Sequence, residues 1–70
     1  DLETALLEVD KYIDDSYLGN LDTITIIHGV GTLVLKKGIQ EYLRKHKYIK
    51  KFRDGQYGEG GMGVTVATLK

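Results

Sequence analysis

The sequence predicts an α/β domain spanning residues 1–70, and three observations carry that reading. Apolar residues recur at helical spacing from Leu2 to Tyr17. A nearly all β-branched run follows at Thr23 to His28, and a second helical pattern then leads into two alternating runs. The order helix, strand, helix, strand, strand places a crossover of a dozen or more residues between two strands, as parallel neighbours require.

In the first segment Leu2, Ala5, Leu6, Val9, Tyr12, Ile13 and Tyr17 form one apolar stripe, with Asp1 placed to cap the start and Gly19 to end it. "TITIIH" has apolar residues on both faces after Ile24, the pattern of a central strand covered on two sides. The second helix is expected over Leu33 to Lys47, capped by Thr32. Leu35, Ile39, Tyr42, Leu43 and His46 would face the core, with Lys36, Gln40, Arg44 and Lys47 on the opposite, solvent side. Gly38 inside this helix costs about 1 kcal/mol relative to alanine, so a packing reason for it is expected. "YIKKFR" and "GVTVATL" read as strands, joined by a long flexible hairpin loop over residues 54–63 that holds five of the nine glycines. The first helix calls for a strand ahead of it. None is present, so the first strand is expected to be missing and the chain to be truncated at its N-terminus.

Composition narrows the function classes. The chain has no cysteine, which excludes disulfides and thiolate metal sites and fits a reducing, cytoplasmic setting. No apolar run approaches the roughly 20 residues that span a membrane, so a soluble protein without a membrane partner is expected. The net charge of zero hides a segregation. Residues 1–22 carry seven acids against Lys11. Residues 36–53 carry Lys36, Lys37, Arg44, Lys45, Lys47, Lys50, Lys51 and Arg53 against Glu41. Such asymmetry points either to an anionic partner or to two solvated faces that attract each other.

The junction "HGVGT", His28 to Thr32, concentrates the chemistry. A strand ends and a helix begins within a few residues, so the amides of Gly31, Thr32 and Leu33 lie at a helix N-terminus without intrahelical partners and suit an anion. Gly29 and Gly31 permit positive φ and close approach of a ligand to the main chain. His28, at the carboxyl end of the strand, can donate to a phosphate oxygen or shuttle a proton. The other reading is a tight turn whose histidine bonds a carbonyl. Lys36, Arg44 and Lys47 continue the anion-binding character along the helix, Tyr57 in the glycine loop is placed to stack on an unpaired base, and Asp54 and Glu59 are too isolated to form a metal motif.

Taken together, "ALLEVDKYIDD", "IIHGVGT", "GIQEYLRKHKYIKKFR" and "GEGGMGVTVATLK" resemble the small MutS-related, or Smr, domain, most closely the branch that ends the second bacterial MutS paralogue. The resemblance implies a two-layer α/β sandwich of two helices on a mixed sheet, similar to the C-terminal domain of translation initiation factor 3. It implies nucleic-acid binding, and in several members a metal-assisted nicking endonuclease acting on DNA or RNA. The family's HGxGxG-type motif falls on His28, Gly29 and Gly31, and its later glycine motif on Gly60, Gly61, Gly63, Val64 and Thr65. His28 is then the catalytic residue, stabilising charge or passing a proton, with Mg or Mn as the expected metal, its ligands unknown and none held tightly by this chain. The expected partners are DNA or RNA, including the ribosome, and the remainder of a MutS-like ATPase. The alternative is a non-catalytic module that docks on RNA or the ribosome. The chain departs from the family in three residues and one segment. Val30 stands where relatives often have lysine, Leu33 where they often have glycine, Lys36 where arginine is common, and the family's opening "LDLRG" segment is absent.

Overall fold

The computed structural model describes every residue except Thr32. Helix α1 runs Leu2–Leu18, with the Asp1 carboxylate accepting from the Thr4 amide at 2.8 Å, as its capping position predicts. Past Gly19 the chain turns at Asn20, which takes the left-handed conformation at φ 61°, one of the few non-glycine types that does so readily. Strand β1 is Thr23–Ile27, helix α2 Val34–Lys45, strand β2 Ile49–Asp54, and strand β3 Val64–Leu69. A short 3-10 turn, Gly61–Gly63, leads into β3. Among the described residues no helix is long and apolar enough to cross a membrane.

Both helices pack on one sheet, as the α/β reading expects. The strand order is β1-β3-β2. β1 and β2 run the same way, but β3 lies between them, so the described pairings are antiparallel rather than mixed and the crossover skips a strand. The doubly covered strand is therefore β3, in which Val64, Thr65, Val66, Ala67 and Leu69 are all buried. β1 instead alternates, with Ile24 and Ile26 buried and Ile27 82% exposed. β1 was expected to be the central strand; hydrogen bonding from β3 to both neighbours decides otherwise.

The core joins Val9 and Ile13 of α1, Ile39 and Leu43 of α2, and Ile24, Ile26, Ile49, Ala67 and Leu69 of the sheet. Fully burying one such side chain stabilises by about 1.5–3 kcal/mol, so this cluster is the main force holding the layers together. Gly38 has the expected packing reason: a Cβ there would lie 2.5 Å from the Leu2 side chain, where α1 crosses α2. A second clasp joins the helices, where Tyr42 Oη donates to Asp10 and His46 Nε2 lies 3.1 Å from the same carboxylate oxygen.

On the helix-facing side of the sheet one row reads Ile26, Thr65, Asp54 across the three strands. Its two polar members lie under the first turns of α2. Lys36 and Gln40, one turn apart, therefore point inward to meet them, and this corrects their expected place on the solvent face. Lys36 is only 9% exposed.

Candidate nucleic-acid interface

Beyond Ile27 the main chain is held by a single acceptor. Gly63 O takes hydrogen bonds from the amides of His28, at 3.0 Å, and Gly29, at 2.9 Å. That carbonyl ties the two glycine motifs together, and Gly29 reaches it with φ 79°, a conformation that glycine adopts without steric cost. The amides of Gly31 and Leu33 donate to no other described residue. Leu33 stands at the N-cap position of α2, with φ 69° and no side-chain cap bond of its own; the expected capping by Thr32 lies outside the described residues. Leucine in the left-handed region costs about 1–2 kcal/mol, a cost that glycine would not carry there.

His28, Gly29, Gly31, Leu33, Leu35 and Lys36 line a recess of about 50 Å³. A water's share of liquid volume is about 30 Å³, so the recess admits one or two oxygens and no whole nucleotide. Behind it runs a continuous polar chain. Lys36 Nζ is 3.1 Å from Asp54 Oδ1 and 3.6 Å from Met62 Sδ. Gln40 Nε2 donates to Asp54 Oδ1 and to Thr65 Oγ1, each at 2.9 Å. Thr65 Oγ1 is 2.8 Å from His28 Nε2, and His28 Nδ1 is 3.0 Å from Gly29 O. The amide of Gln40, and then the ammonium of Lys36, hold the Asp54 carboxyl below the usual carboxylate range against a small desolvation cost.

The structure thus brings His28, Gly29, Gly31, Lys36 and Gly63 together. It does not bring Arg44 and Lys47 to the same place. Arg44 is eight residues beyond Lys36, about 12 Å along the helix, with its guanidinium 5.3 Å from the Phe52 ring centre. Lys47 Nζ lies 5.1 Å from the ring centre of Tyr48. Lys37, Lys50 and Lys51 are exposed and make no ion pair among the described residues. Tyr57 is fully exposed at the loop tip, as stacking on a base would need. The loop itself, expected to be flexible, is internally bonded. Glu59 accepts from both guanidinium nitrogens of Arg53 and from the Gln56 amide, and these bonds pull its pKa down to about 2. Gly60 and Gly61 turn the chain back with φ 116° and 56°.

The Gln40–Thr65 pair is not evident from helical spacing, which places Gln40 toward solvent, or from the glycine motif, in which Thr65 is one position. The available signal was that Thr65 falls in phase with Ala67 and Leu69 on the core side of its strand, where a hydroxyl needs a partner.

The Smr domain family model matches residues 1–70. The chain belongs to the Smr family. It is 61% identical over 69 residues to Endonuclease MutS2 of Alkaliphilus oremlandii, covering 99% of this chain and 9% of that protein. The corresponding Endonuclease MutS2 of Caldanaerobacter subterraneus is 62% identical over 68 residues, 97% of this chain and again 9% of the relative. The chain thus spans about a tenth of the MutS2 proteins it resembles. The crystal structure of the Smr domain of Thermus thermophilus MutS2 superposes with a TM-score of 0.97 at 41% identity, covering 100% of this chain and 88% of that one. YdaL, a stand-alone small MutS-related protein from Escherichia coli, shares the fold with a TM-score of 0.93 at 18% identity, covering 100% of this chain and 58% of its own.

Proposed function

We propose that this Smr domain binds the phosphate backbone of DNA or RNA at the turn between β1 and α2, as the terminal module of a cytoplasmic MutS2-type ATPase. The gathering of open main-chain amides and His28 around one oxygen-sized recess also lined by Lys36, whose ammonium lies behind it against Asp54, carries this reading. Gly60 and Gly61 turn the chain so that Gly63 O anchors the His28 and Gly29 amides beside the recess, and Tyr57 would reach an unstacked base. Arg44 and Lys47 extend the positive field along α2. The names of the MutS2 relatives support placing the module in an endonuclease; His28, at the recess, would then be its catalytic residue.

The divalent metal implied by that chemistry finds no ready ligand set among the described site residues. Asp54 is the one carboxylate there, and Lys36 and Gln40 already engage it. Mg²⁺ favours oxygen-rich, near-octahedral surroundings, which this single engaged carboxylate does not supply. One other group has metal-ligand spacing: Asp10, Asp14 and His46. There His46 Nδ1 accepts from the Tyr48 amide, so Nε2 carries the proton and faces Asp10, which leaves no lone pair for an ion. The engaged state of Asp54 favours a second reading, a docking module on RNA or the ribosome in which this domain binds without cutting.

The deciding experiment is a titration of the ¹⁵N-labelled domain with short single-stranded and duplex oligonucleotides, followed by amide shifts. The expected result is a contiguous set of perturbations over His28, Gly29, Gly31, Lys36 and Gly63 that fades as salt is raised. Perturbations confined to α1 would refute the assignment. Nicking of supercoiled DNA by the full-length parent protein, with and without magnesium, separates the endonuclease from the docking module.

A further inference from the structure

The polar chain behind the recess has a fixed direction, and that direction determines which nitrogen of His28 carries its proton. Both ends of the chain are acceptors only. At one end the Asp54 carboxylate can face nothing but the NH₂ group of Gln40, which orients the amide without ambiguity. The same NH₂ group therefore donates its other hydrogen to Thr65 Oγ1. The hydroxyl has one hydrogen, and its remaining neighbour in the chain is His28 Nε2, so Nε2 accepts. At the other end Nδ1 faces the carbonyl of Gly29, which can only accept, so Nδ1 bears the hydrogen. Starting from either end gives the same tautomer, and among the described residues the buried side-chain nitrogens and oxygens all find partners.

We infer that Gln40 and Thr65 are positioning residues that lock His28 as the Nδ1–H tautomer, so that the imidazole offers an N–H to an incoming phosphate oxygen rather than a lone pair. Thr65 is fully buried and the Nε2 contact is part-buried, whereas the Nδ1 contact lies on the exposed side. The bond from Nδ1 to Gly29 O is a local one that a phosphate oxygen, being charged, replaces with a stronger acceptor. In this state His28 is a hydrogen-bond donor and not a base, because its basic nitrogen is turned into the protein. The donor role rests on the phosphate-binding reading; the tautomer does not.

The test is the tautomer itself, read from long-range ¹H–¹⁵N correlations of the histidine rings at a pH where His28 is neutral. His28 is expected to show a protonated Nδ1 and an unprotonated Nε2. Gln40→Glu puts an acceptor where the donor stood. The hydroxyl of Thr65 then turns to the new carboxylate, its oxygen accepts from Nε2–H, and the tautomer inverts. Thr65→Val lets the two tautomers mix, and Thr65→Ser restores the parent spectrum, which separates the hydroxyl's role from a packing defect. A protonated Nε2 in the parent chain, or no change in Gln40→Glu, overturns the inference. In an oligonucleotide titration the Nδ1–H resonance is expected to shift, and Gln40→Glu to weaken binding about tenfold, the effect of losing one hydrogen bond to a charged group. Binding that leaves Nδ1–H unmoved overturns the donor role. An oligonucleotide that does not bind overturns the phosphate reading while the tautomer result stands.

Discussion

Asp54 and Glu59 show what individual carboxylates contribute. Both are held below their ordinary range, Asp54 chiefly by Gln40 and Lys36, and Glu59, down to about 2, chiefly by Arg53. A carboxyl with a lowered pKa in the fold adds stability that is complete above its ordinary value and is lost as pH falls through the lowered one. The melting temperature is therefore expected to hold from neutral pH to about 5 and to decline between the ordinary glutamate value of 4.5 and about 2. Glu59→Gln removes its share of that slope, because the amide has no charge to lose. Thermal melts of the two chains across this range check it; parallel declines would show that the Arg53 pair carries no weight. Glu59 is exposed, so the difference is confined to the acid limb and salt reduces it.

The elements are held by clasps as well as by the core. Desolvation, and after it the hydrogen bond to Asp10, push the Tyr42 hydroxyl up to about 12 from 10.0. A raised pKa of this kind gives stability that is full below the ordinary tyrosine value and is lost as pH rises through the raised one. Tyr42→Phe is expected to cost about 1 kcal/mol in urea denaturation with an unchanged slope, since a donor is removed from an otherwise intact helix pair. Gly60→Ala acts on the loop instead. At φ 116° a Cβ is strained, and it would also lie 2.6 Å from Val64 Cγ1. A loss of about 1–3 kcal/mol is expected, together with shifted His28 and Gly29 amides, because Gly63 O anchors both.

What was legible at this scale follows from periodicity. The helices, the strands and the capping by Asp1 show in the sequence because each depends on near neighbours. The place of β3 between β1 and β2 does not, because it depends on pairing between residues some forty positions apart, such as Ile26 with Thr65. Lys36 and Gln40 were misplaced for the same reason. A helical wheel gives their angle to Leu35 and Ile39, but only the sheet beneath shows that Asp54 and Thr65 wait on that side. His28 and its glycines stand out as a candidate site because a strand-to-helix junction exposes main-chain donors whatever the partner strand.

Across the whole molecule the segregated charges stay segregated. The bases of residues 36–53 pair with acids of residues 41–59: Arg44 and Lys45 with Glu41, Lys36 with Asp54, Arg53 with Glu59. Of the basic side chains beyond α1, only His46 among the described residues lies within ion-pair distance of an α1 acid, Asp10. The α1 acids therefore still repel a polyanion from one side while Lys37, Lys50 and Lys51 attract it to the other, a field that orients an approaching strand before contact. On the phosphate-binding proposal, Arg44 and Lys47, far from the recess, would belong to that field, and Lys36 to the contact. The two kinds of residue are expected to separate kinetically. Replacing Arg44 and Lys47 together by alanine should slow association with a short oligonucleotide several-fold at low salt, leave dissociation nearly unchanged, and lose its effect at high salt, where charges beyond a Debye length are screened. Lys36→Ala should instead speed dissociation, and the difference should persist in salt, because the ammonium is buried beside Asp54 and leaves that carboxylate uncompensated next to the bound phosphate. Stopped-flow measurements at two salt concentrations read both rates. Equal effects of the two replacements on dissociation would mean that Arg44 and Lys47 touch the nucleic acid directly, and that the interface runs the full length of α2.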